Sequence, residues 1–153
     1  MRDRGALAVL LSGLGGLAIS AYLTYSHYDQ VPLACAQGQV LDCAAVTHSS
    51  YSTLPGSEVP ISVPGLLFFA VVALWGVLVL SRVFERSAWA ERALLFWSVA
   101  GLVFALYLVF VEIVRLRRIC EWCSAVHVLT LVIFLLALNR VGRPTVPEKG
   151  RGG

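Results

Sequence analysis

The four cysteines are the residues of this chain best suited to chemistry, and they fall into two pairs. Cys120 and Cys123 enclose Glu121 and Trp122. A Cys-x-x-Cys at a helix start is a redox arrangement for a physical reason. The helix dipole and the unbonded N–H groups of the first turn favour a thiolate on the first cysteine, here Cys120. Two intervening residues also allow a strained, readily reduced disulfide. Arg117 and Arg118 either lower the Cys120 pKa further or contact lipid headgroups, while Glu121 opposes a thiolate. Cys35 and Cys43 are spaced more widely. That spacing predicts a small flexible ring suited to a mobile carrier pair, because thiol–disulfide exchange needs in-line access of one sulfur to another. Four cysteines could also hold zinc. Zinc ribbons usually pair two short knuckles, however, and this chain has one short and one long spacing, so no metal site is expected.

These residues must be positioned by helices that cross a membrane. The chain has 153 residues, 58% of them apolar and 14% charged, with a mean hydropathy of +0.79. An ordinary soluble domain is about 25% charged. So few charges exclude a soluble enzyme and a disordered chain, and the net charge of +3 is too small and too dispersed for a nucleic-acid binder. A bilayer core about 30 Å thick takes roughly 20 apolar residues as a helix. Four such stretches are predicted, over about 6–28, 61–82, 91–114 and 120–139. The expected fold is an all-α integral membrane protein, a four-helix bundle over residues 1–139. A redox loop, 29–60, caps it between the first two helices, and a disordered tail, 140–153, follows. Ser62 before Val63-Pro64 reads as a helix N-cap. Ser12, Gly16 and Ser20 recur every four residues, a spacing that either lets helix backbones approach closely or reflects ordinary membrane-helix composition. The first apolar run is too long for a signal-peptide core, and a polar stretch separates it from Ala34-Cys35-Ala36, so no cleavage is expected.

Orientation follows from the basic residues. Arg2, Arg4, Arg82, Arg86, Arg92, Arg140, Arg143, Lys149 and Arg151 fall on one side, and only Arg115, Arg117 and Arg118 on the other. The positive-inside rule therefore predicts cytoplasmic termini. The second and third helices make one round trip, so both cysteine pairs share a face. By this count that face is extracytoplasmic, where disulfides persist. Glu112 is the one acid in the interior of a predicted helix. Such residues are costly in lipid. Arg115 lies on the same helical face three residues on, and an ion pair with Arg115 or Arg118 is expected in preference to a proton-relay role.

The chain resembles the vitamin K epoxide reductase family, in particular bacterial members that help form disulfide bonds. The resemblance rests on the order of the two cysteine pairs, on Asp42-Cys43-Ala44-Ala45-Val46 followed by Ser49-Ser50-Tyr51-Ser52, on Ser62-Val63-Pro64-Gly65, and on Glu112 leading to Ile119-Cys120-Glu121-Trp122-Cys123. It covers about residues 6–139. The unrelated disulfide-bond B family also has four helices and two pairs, in the reverse order. The resemblance implies a quinone substrate (ubiquinone, menaquinone or phylloquinone) held in the bundle near the Cys-x-x-Cys. It implies that Cys123 faces the quinone, that Cys120 exchanges with Cys43, and that Cys35 meets a separate thioredoxin-fold thiol oxidoreductase. Ser62, Phe68, Leu116 and His127 are the implied quinone contacts. In animal members a polar residue near the start of the second helix holds a quinone oxygen, and here that position is Ile61, beside Ser62. The aromatic hydroxyl four residues after the second active-site cysteine is replaced by His127. The expected function is thus a thiol:quinone oxidoreductase of a bacterial inner membrane. Quinone-epoxide reduction in a eukaryotic endomembrane and a non-catalytic protein with structural disulfides stay open as alternatives.

Overall fold

A computed structural model describes residues 3–29, 31–36, 38–83 and 87–142. Its elements in chain order are α1 (Arg4–Asp29), a short α2 (Cys43–Thr47), α3 (Ser62–Leu80), α4 (Ala88–Phe110) continued by a π-helical turn (Val111–Leu116), and α5 (Glu121–Val141). Among the described residues four helices are long and apolar enough to cross a membrane: α1, α3, α4 with its π turn, and α5. Among the described residues the only β structure is two isolated bridges. This is an all-α membrane bundle.

The small-residue face of α1 explains its pairing with α3. Gly13, Gly16 and Ser20 are buried there, and Ser12 is half-buried. A Cβ at Gly16 would overlap the Phe69 ring, and one at Gly13 would lie 2.9 Å from the Ala73 backbone nitrogen. Glycine at these positions lets the two backbones approach, as van der Waals packing in lipid requires. Phe69, Val72, Val9, Ile133 and Ala137 form the fully buried centre. Most other large apolar side chains, such as Leu67, Phe96 and Leu135, face outward, as expected where lipid is the solvent.

Several expected boundaries move. Ser62 is the first residue of α3 rather than its cap; the cap position is Ile61, with no side-chain capping bond. The Ser62 hydroxyl instead takes a hydrogen bond from Thr24 Oγ1 at 2.8 Å, which ties α1 to α3. The third span starts earlier and ends later than 91–114, because the π turn carries it to Leu116. Arg117, with φ 51°, then breaks the helix in the left-handed region.

The expected tail begins in structure. Arg140 and Val141 belong to α5, and Arg140 is buried. Its guanidinium bonds both oxygens of Glu91, at 2.8 and 2.6 Å, and both oxygens of Asp3, at 2.9 and 3.0 Å. It also sits 5.0 Å from the centre of the Trp75 ring. A charge with two carboxylate partners and an aromatic face is held rather than solvated, so the helix continues through it. The remainder of the expected tail, 143–153, lies outside the described residues, as do Arg2, Arg86, Arg143, Lys149 and Arg151 of the charge count.

Candidate functional site

Both cysteine pairs lie at one end of the bundle. Cys35 and Cys43 form a disulfide with their Cα atoms 6.2 Å apart, and Cys120 and Cys123 are free thiols. Cys43 and Cys120 are buried in one cluster with Val46, and Cys35, Leu116, Trp122 and Cys123 pack around them. Cys35 is half-exposed, whereas Cys43 is 2% exposed and Cys120 fully enclosed.

Local structure explains this placement. Asp42 caps α2 by accepting from the Ala45 N–H at 2.9 Å, so Cys43 opens a helix. A parallel bridge then docks the loop: Asp42 N–H donates to the Ile119 carbonyl at 3.1 Å, and Ile119 N–H to the Val40 carbonyl at 2.9 Å. The expectation of a flexible ring therefore fails for its inner half, because helix, cap and bridge fix Cys43. Only the half around Cys35 lacks regular structure.

Cys120 occupies the N-cap of α5, and its Sγ accepts from the Cys123 N–H at 3.3 Å. The Cys123 thiol's hydrogen bond holds the Cys120 thiol below its ordinary range, helped by first-turn N–H groups and opposed by burial and the Glu112 charge. Arg117 and Arg118 are not among the causes. The Arg118 guanidinium donates instead to the Gln39 carbonyl, and Glu121 turns outward to accept from the Ala36 N–H.

Beneath the thiols, a cavity of about 990 Å³, counting its open mouth, runs between the helices. Cys123 lines it, whereas Cys43 and Cys120 do not. Ser62, Phe68, Leu116 and His127 all line it as well, so the structure brings the four named contacts and Cys123 to one cavity. Phe68 is fixed by stacking on Trp97, with ring centres 6.2 Å apart, and by the Trp97 indole N–H donating to its carbonyl. Gly101 leaves room for the Phe68 ring, which a Cβ there would overlap. His127 faces the cavity and makes no hydrogen bond to protein among the described residues. The rim comes from the first loop through Ser49, Tyr51, Ser52 and Pro60.

Glu112 departs from expectation. It is 5% exposed and makes no ion pair with Arg115 or Arg118 among the described residues. The π turn is the reason. The i,i+3 neighbour rule holds for 3.6 residues per turn, and the wider turn takes Arg115 off the Glu112 face. Glu112 lines the cavity, and its carboxylate takes the Cys120 N–H at 3.5 Å. It thus stands at the seam between the enclosed thiol and the open chamber.

The model of the vitamin K epoxide reductase family matches residues 7–138, nearly the whole bundle. With its ordered cysteine pairs at one end of four apolar helices, this chain belongs to the vitamin K epoxide reductase family, membrane oxidoreductases that join thiol chemistry to quinones.

Proposed function

We propose that this protein is a membrane thiol:quinone oxidoreductase serving disulfide-bond formation, with both cysteine pairs on the extracytoplasmic side of a bacterial inner membrane. The observation that carries the reading is the division between the two thiols of the motif: Cys123 lines the chamber, and Cys120 is sealed behind it against Cys43.

The chemistry runs inward in electrons. A dithiol of a separate thioredoxin-fold protein reduces the Cys35–Cys43 disulfide by attack at Cys35, and Cys43 leaves as thiolate. Cys43 then attacks Cys120 of a Cys120–Cys123 disulfide, releasing Cys123. When the second loop thiol closes on Cys43, the loop disulfide is restored and Cys120 and Cys123 are both reduced. Two electrons pass from these thiols to the quinone, two protons follow, and the products are a quinol and the Cys120–Cys123 disulfide. Each thiol pair supplies two electrons and two protons, so the sequence balances. In this reading Glu112, which lines the chamber and accepts from the Cys120 backbone N–H, carries the Cys120 proton to the chamber, and His127, also on the chamber lining, hydrogen-bonds a quinone oxygen.

The test is quinone reduction by purified protein with a reduced thioredoxin-fold donor. Turnover is expected to need all four cysteines. Full turnover with Cys35→Ser and that protein donor would overturn the relay.

A further inference from the structure

The two residues inside the Cys-x-x-Cys grip the loop on both sides of Cys35. The Trp122 indole N–H donates to the Ala34 carbonyl at 2.8 Å. The Glu121 carboxylate accepts from the Ala36 N–H at 3.2 Å. The Ala34 N–H is taken by the Tyr22 hydroxyl at 3.1 Å, and Tyr22 packs edge-on against Trp122 with ring centres 5.2 Å apart. Three main-chain groups of Ala34 and Ala36 thus turn the same way, as alternate residues do along a strand edge. Side chains, rather than another strand, occupy all three.

The two halves of the disulfide loop are anchored by different means. The Cys43 half is held by main-chain bonds to Ile119 and by its own capped helix. The Cys35 half is held by exposed side-chain bonds, each of them worth little and easily exchanged. Cys43 is almost wholly covered, so an outside thiol can reach the disulfide only at Cys35.

We propose that Glu121, Trp122 and Tyr22 form a releasable clamp on the Cys35 segment, and that a thiol protein docks by replacing their side-chain bonds with its own extended main chain along the Ala34–Ala36 edge. Such pairing takes affinity from main-chain hydrogen bonds. The incoming thiolate attacks Cys35 Sγ, the Cys35–Cys43 bond breaks, and Cys43 departs as thiolate while still held beside Cys120. The clamp therefore governs the outer exchange and leaves the inner one alone. This rests on the reading of Cys35 as the outward-facing cysteine.

The probe is a reduced thioredoxin-fold protein lacking its resolving cysteine, which stays trapped on the cysteine it attacks. In Glu121→Ala/Trp122→Phe, which keeps an aromatic ring against Tyr22, capture at Cys35 should run about tenfold faster, since two exposed hydrogen bonds no longer need breaking. Glu121→Gln keeps an acceptor oxygen and should restore most of the slower rate in the Trp122 background. The Cys43–Cys120 bridge formed in a Cys35→Ser background should be unchanged. Hydrogen exchange of the segment 32–36 should quicken, with exchange in α5 unaltered. Capture that is unchanged or slower in the double variant overturns the clamp, as does unaltered exchange over 32–36. Capture of the probe at Cys43 or Cys120 in the unsubstituted protein instead overturns the relay order, and the exchange measurement then still decides the clamp.

Discussion

Leu41 and Ile119 pair in a single parallel bridge, and that bridge holds the loop cysteine pair against the start of α5. Cys43 lies two residues beyond Leu41 and Cys120 one beyond Ile119, so the register of one short contact brings both sulfurs into the same buried cluster. Rigid placement of the inner exchange, beside a looser outer one, is what a relay between a protein partner and a lipid-soluble acceptor requires.

The bridge can be weakened selectively. Ile119→Pro removes the N–H that bonds the Val40 carbonyl. In a Cys35→Ser background, formation of the Cys43–Cys120 disulfide, read by peptide mapping under oxidising conditions, should slow by about 2- to 10-fold, the worth of one hydrogen bond. An unchanged rate would mean the bridge does not position Cys43.

Cys120 should act as a nucleophile at lower pH than an ordinary thiol. Its pKa is lowered chiefly by the hydrogen bond from the Cys123 thiol, so deprotonation comes earlier as pH rises. The pH midpoint for Cys120 alkylation in the reduced protein should lie below that of a free thiol. Cys123→Ala removes the donor and should move the midpoint up, whereas Cys123→Ser should largely preserve it. A midpoint unaffected by Cys123→Ala contradicts this cause.

Glu112 and His127 divide the polar work of the chamber in this account. Glu112→Gln keeps the shape and loses the proton carrier, so quinone reduction should fall by about 10²-fold in kcat, as for loss of a general acid–base group. His127→Leu should raise the quinone KM by about 3- to 10-fold through one lost hydrogen bond. Steady-state kinetics that show the reverse split would exchange the two roles.

At the other end of the bundle, Arg140→Met should destabilise the protein by about 3–5 kcal/mol, because Glu91 is left buried without its partner. Thermal unfolding in detergent reads the loss. Adding Glu91→Gln should recover part of it, since the unpaired charge is then gone.

Much of this arrangement is legible in the residues alone. Apolar runs of span length mark four helices, and parity places both cysteine pairs at one end, because these signals are local. What escapes is long-range or depends on local irregularity. Arg140 reads as one more basic residue beyond a span, since its partners Asp3 and Glu91 lie 137 and 49 positions away. The Glu112–Arg115 pair assumes a regular α-helix, and the π turn removes that premise. Trp122 reads as a spacer and Glu121 as a charge opposing the thiolate, although a residue in the first turn of α5 is well placed to reach the loop above it. Asp42 before Cys43 was the available signal for α2, an N-cap residue ahead of a short run of helix formers.

The central claim is that Cys123, and not Cys120, meets the quinone. Both single variants should be inactive in turnover, so activity does not discriminate between them. Addition of a quinone to the reduced single variants does. A thiolate–quinone charge-transfer absorption band should appear in Cys120→Ala, where Cys123 still faces the chamber, and be absent in Cys123→Ala. A band in Cys123→Ala and none in Cys120→Ala would contradict the account and exchange the roles of the two cysteines.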